Sequence, residues 1–121
     1  MATDAAFRVE SDLVGELKVP AGAYYGVHTA RAMENFPITG QRMHPEMIRG
    51  LALIKKAAAL VNREAGALPP RIADAIALAA DEVLKGGLQG QFPVDPLQGG
   101  AGTSANMNMN EVLANRAIEI L

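Results

Sequence analysis

PEMIRGLALIKKAAALVNREAGALPPRIADAIALAADEVLKGG, residues Pro45 to Gly87, is the stretch that decides the fold class. Pro45 stands where a first-turn proline belongs, its missing N–H costing nothing there. Met47, Ile48, Leu51, Ile54, Ala58, Val61 and Ala65 then recur at three- to four-residue intervals up to Gly66. Leu68-Pro69-Pro70 leaves room only for a tight connection. Ile72, Ile76, Ala79, Ala80 and Val83 mark a second helix, stopped by Gly86-Gly87. Two amphipathic helices on so short a link predict an antiparallel helical hairpin, and hence a mainly α domain.

Working outward, Phe7, Val9, Leu17 and Val19 flank Leu13-Val14-Gly15 in a pattern that predicts two short extended pieces around a turn, ended by Pro20. So small a β element needs something to lie against. From Ala23 to Phe36 the period becomes helical, until Pro37 and Gly40 break it. Gln89 to Gly102 is irregular by composition, with Pro93 and Pro96 among its glycines. From Thr103 the helical period returns, placing Met107, Asn110, Leu113 or Ala114, Ala117 and Leu121 on one expected face. No Gly, Pro or basic residue near Leu121 ends that helix, the pattern expected of a segment of a longer chain.

A chain of 121 residues can bury a modest core, and residues 1–121 are expected to form one domain. Half of them are hydrophobic and 20% charged, as in folded globular proteins. Aromatics make up only 4%, so the core should be aliphatic and alanine-rich. A net charge of -2 gives no electrostatic case for nucleic acid or an anionic membrane surface as partner. The absence of cysteine excludes disulfides, thiolate metal sites and a cysteine nucleophile. The first residues carry charges where a signal peptide needs an apolar core, and no apolar run reaches membrane-spanning length. A cytoplasmic location is expected.

Chemistry concentrates in Gly99-Gly100-Ala101-Gly102-Thr103-Ser104. The glycines let the backbone turn sharply and approach a ligand. Thr103 or Ser104 is expected near the N-cap of the following helix, whose free N–H groups and dipole favour an anion. Such a turn, taken alone, is more often plain backbone geometry than a binding site. It is not a phosphate loop, since no Lys follows the last glycine, and it lacks the glycine order of a dinucleotide site. Asn106, Asn108, Asn110 and Asn115 then interrupt an otherwise apolar helix. Buried amides need partners, so the run predicts a shared polar network. Asn108 and Asn115 are read as packing residues, whereas Asn106 and Asn110 share the face of Thr103.

Gly102-Thr-Ser-Ala-Asn-Met-Asn-Met-Asn-Glu-Val-Leu-Ala-Asn115 resembles the first signature of the class II fumarase/aspartase family. A second match lies upstream, in Tyr24-Tyr-Gly-Val-His-Thr-Ala-Arg-Ala32 and Glu34-Asn-Phe-Pro-Ile38. The resemblance covers nearly the whole chain. It implies the family's N-terminal domain, a helical hairpin with a small N-terminal β element. Ala101, the Phe92-Pro93-Val94-Asp95 stretch, Tyr24-Tyr25 and Arg31-Ala32 lean toward the aspartase branch, with the fumarase branch as the alternative.

The resemblance implies a lyase that reversibly removes ammonia from L-aspartate to give fumarate, in a homotetrameric parent; no cofactor is expected, and no metal site, since His28 and His44 lack the spacing of a metal pair on one helix. Thr103 matches the family position that contacts a substrate carboxylate, with Ser104 and Gly102 as helpers. The family's proton-abstracting serine belongs to a later Gly-Ser-Ser loop that this sequence does not contain. No catalytic residue is therefore expected here, and the isolated segment is expected to be inert or a helical interaction module. His28 is read as a packing or surface residue, His44 as a helix-start residue, and Arg31 as a salt-bridge partner.

Overall fold

The computed structural model describes residues 6–121. Strands β1 (Phe7–Ser11) and β2 (Glu16–Pro20) form an antiparallel hairpin, pairing Phe7 with Pro20 and Ser11 with Glu16. Helices α1 (Val27–Asn35), α2 (Pro45–Glu64), α3 (Pro70–Leu84) and α4 (Thr103–Ile120) follow. No described helix is long and apolar enough to cross a membrane. The mainly α fold with a helical hairpin and a small β element is the expected one.

α2 and α3 run antiparallel. Arg49 near the start of α2 donates to the Leu84 carbonyl, Lys56 in its middle to Asp81, and Arg63 near its end to Asp74. The buried face of α2 is not the expected stripe. Ala52 and Ala59 are buried, Ile48 and Leu51 half-buried, while Met47, Ile54 and Val61 are 56–62% exposed. α2 is apolar on more than one side, so the period alone does not select the inner face. The small alanines do, because they let α2 lie close against Ala79, Ala80 and Val83 of α3.

α4 packs across α3 and α1. It buries Ala105, Asn108, Met109, Val112, Leu113 and Ala117. Its inner face is thus rotated from the expected one: Met107 and Asn110 are only half-buried and Leu121 is exposed. Phe92 and Val94, from the irregular segment after α3, fill the core beside Met109 and Val112.

The opening hairpin turns its polar side inward. Phe7 and Val9 are exposed, while Arg8 and Glu10 share the inner face with Leu17 and the fully buried Val19. The reason lies in the chain just after β2. The Arg8 guanidinium donates to the carbonyls of Pro20 at 2.9 Å, Ala23 at 2.8 Å and Tyr25 at 2.8 Å. Residues 23–26 are thereby held in irregular backbone, so α1 begins at Val27 rather than at the expected Ala23.

The start of α1 is capped by two carboxylates from distant elements. Glu10 Oε1 accepts from Val27 N–H at 3.0 Å. Glu111 Oε2 accepts from His28 N–H at 3.1 Å, and its Oε1 from Thr29 N–H at 2.9 Å and the Thr29 hydroxyl at 2.7 Å. The free amides and the positive end of the helix dipole are satisfied together. Gly26 is what makes room: a Cβ there would stand 2.2 Å from Glu111 Oε2 and 2.8 Å from Glu10 Oε1.

Candidate functional site

The loop ahead of α4 is anchored through Asp95, buried although charged. Its Oδ2 accepts from Thr39 N–H at 2.7 Å, the Thr39 hydroxyl at 2.8 Å and Gly40 N–H at 3.0 Å. Its Oδ1 accepts from Leu97 N–H at 2.9 Å. Burial pushes the Asp95 carboxyl upward, but the hydrogen bonds from Leu97, Thr39 and Gly40 outweigh it and leave the group below the ordinary carboxylate range. Asp12 is lowered as well, chiefly by the Arg31 guanidinium, which grips it at 3.0 and 2.9 Å.

The sign of the pH dependence follows. A carboxyl depressed in the folded state contributes stability that is full above its unfolded value and lost as pH falls through the folded one. Thermal unfolding should therefore show melting temperature dropping below pH ~4, the ordinary Asp value. Asp95→Asn, which removes the charge that those donors satisfy, should flatten that drop while lowering stability at neutral pH.

Gln98 carries the anchorage onward. Its Nε2 donates to the Asp95 carbonyl at 3.0 Å, and its Oε1 accepts from Ala105 N–H at 3.1 Å. Gln98 therefore caps α4 from outside the helix, in place of the expected Thr103 or Ser104 hydroxyl. The N-cap residue itself is Gly102, whose φ of 78° is the left-handed backbone that favours glycine. Gly99 lies under the Phe36 ring, where a Cβ would come within 3.0 Å of Cζ.

Thr103 is the first residue of α4 and is exposed; Ser104, the second, is half-buried. Gln98 takes the third amide of the helix. Among the described residues no acceptor is in hydrogen-bond range of the Thr103 or Ser104 amides. Two N–H groups at the positive end of an 18-residue helix thus stand beside two hydroxyls. Alongside runs a groove of about 600 Å³ between the loop and the start of α2. Gly102, Gln98 and Asn106 line it, with Met43, Met47 and Leu51 on the far wall; Thr103 and Ser104 do not.

The asparagines do not form the shared network their clustering predicts. Asn108 Nδ2 donates to the Gln91 carbonyl at 2.8 Å, and Asn115 Nδ2 to the Tyr24 carbonyl at 2.7 Å, both tying irregular backbone to α4. Asn106 Oδ1 accepts from Lys55 Nζ at 2.6 Å. Among the described residues Asn110 has only a long contact to the Met107 sulfur, at 3.7 Å. His44 is the N-cap of α2, its Nδ1 accepting from Glu46 N–H at 3.1 Å. His28 lies on the surface beside Glu111. His44 also lines the groove shared with Gly100, Ala101 and Gly102, whereas His28 does not. Gln98, Asp95 and Glu111 were not legible as anchors, since their partners lie at no periodic spacing.

In sequence and in fold the chain matches known lyases. A family model described as "Lyase" matches residues 15–121. An aspartate ammonia-lyase from a Bacillus species is 57% identical over 121 residues, covering 100% of this chain and 25% of that protein. A class II fumarate hydratase from Halobacterium salinarum is 54% identical over 115 residues, covering 95% of this chain and 24% of that protein. The crystal structure of a "fumarate lyase:delta crystallin" from Brucella melitensis superposes with a TM-score of 0.93 at 47% identity, over 95% of this chain and 27% of that one. The chain belongs to the fumarase/aspartase family of lyases, of which it is an N-terminal segment. It spans about a quarter of the length of the curated relatives it matches.

Proposed function

We propose that this segment supplies one wall of a site that removes ammonia from L-aspartate to give fumarate, with Thr103, Ser104 and the Gly102 backbone holding a substrate carboxylate. The observation that carries this reading is the pair of amides on Thr103 and Ser104, without an acceptor among the described residues and set beside their hydroxyls at the start of α4. Removing the C–H proton beside a carboxylate gives an enediolate, with added negative charge on those oxygens. Fixed donors bind that charge more tightly than they bind the substrate, and so lower the barrier. The proton-abstracting group is assigned to a part of the enzyme outside residues 1–121, which form its N-terminal domain. The working enzyme is read as a cytoplasmic homotetramer.

A second reading, fumarate hydration to malate, has the Halobacterium salinarum relative in its favour. The 57% identity to an aspartate ammonia-lyase, with Ala101 and the Phe92–Asp95 stretch, favours ammonia release. Purified full-length enzyme should liberate ammonia from L-aspartate and hydrate fumarate far more slowly. Malate formation as the dominant activity would transfer the assignment to the hydratase branch.

A further inference from the structure

We propose that Asn106 is a further donor to the substrate carboxylate and that Lys55 holds it in the donating orientation. The proposal rests on the reading of the Gly102–Ser104 loop given above.

Asn106 lies one helical turn beyond Gly102 and Thr103, hence on the same side of α4. With Gly102 and Gln98 it lines the groove beside the loop. An asparagine side chain offers one accepting and one donating end, and its neighbours decide which points where. Lys55 Nζ, 2.6 Å from the Asn106 oxygen, can only donate. The carbonyl end is therefore turned toward α2. The NH2 end has no acceptor among the described residues and is left for the groove. Asn108 and Asn115, by contrast, spend their NH2 groups on backbone carbonyls and have none to offer.

The alternative is that Asn106 merely satisfies Lys55. Asn106→Asp separates the two, because aspartate keeps the shape and gives Lys55 a charged partner, but replaces the donor with an acceptor. In the full-length lyase, Asn106→Asp should lower kcat/KM for L-aspartate ~10²-fold, with a melting temperature no lower than that of the parent. Lys55→Met frees the amide to rotate and should cost about tenfold, the worth of one hydrogen bond to a charged group. Lys55→Arg, which keeps a donor on Oδ1, should recover most of that loss. Near-parental kcat/KM in Asn106→Asp would overturn the proposal. Thr103→Val measured in parallel tells which reading has failed. If Thr103→Val is impaired and Asn106→Asp is not, this inference alone falls. If neither is impaired, the loop reading falls with it.

Discussion

Thr103→Val in the full-length lyase is expected to lower kcat/KM for L-aspartate ~10²–10³-fold, the usual cost of losing one anion-stabilising donor. The structure makes this a clean substitution. Thr103 is exposed, and its hydroxyl has no hydrogen-bond partner among the described residues. Valine has the same branching and nearly the same volume, and the α4 cap is supplied by Gln98 and so survives. The thermal melt should stay within a degree or two of the parent. Steady-state kinetics on L-aspartate beside that melt decide the matter. Near-normal turnover would remove Thr103 from the site, whereas a large drop in melting temperature would reassign it to the fold.

The second large effect is on stability. Glu111→Ala strips the His28 amide, the Thr29 amide and the Thr29 hydroxyl of their acceptor at once. Leaving such groups part-buried and unpaired should cost about 2–4 kcal/mol, read from urea unfolding. Glu111→Gln keeps only one accepting oxygen and should lose roughly half as much. Gly26→Ala provides an independent check with the carboxylate intact. Its new methyl must displace Glu111 Oε2 from 2.2 Å away, which unseats the same cap. If both Glu111→Ala and Gly26→Ala unfold with the parent, the carboxylate is not what holds the start of α1.

The sequence shows where helices begin and end far better than which way they face. Pro45, Gly66 and Pro69-Pro70 punctuate the hairpin, because proline and glycine act through local backbone geometry. The inner faces of α2 and α4 depend on tertiary fit. Ala52 and Ala59 are inside because α3 approaches closely, while Ile54 and Val61 remain outside. β1 misleads for a related reason. Its alternation reads correctly as a strand, but the buried side carries Arg8 and Glu10, needed by backbone groups 12 to 17 residues further along. In the candidate site, the glycines announce a turn into a helix. The cap on that helix does not announce itself, because Gln98 lies outside α4 and reaches back to it through space. Asn108 and Asn115, read as packing residues, each tie an irregular backbone carbonyl to α4 through the side-chain NH2.

The two-carboxylate cap on α1 also bears on the order in which the chain folds. A nine-residue helix is too short to persist by itself in water. One of its caps comes from Glu10 and the other from Glu111, separated from Thr29 by 82 positions along the chain. The α2–α3 pair closes on a link of only a few residues and can form early, because its loop-closure entropy is small. α1 and the strand pair before it then consolidate only once α4 has docked. On this order of events, the kinetic effect of Glu111→Ala should fall almost wholly on the unfolding arm of the chevron, leaving the refolding rate near that of the parent.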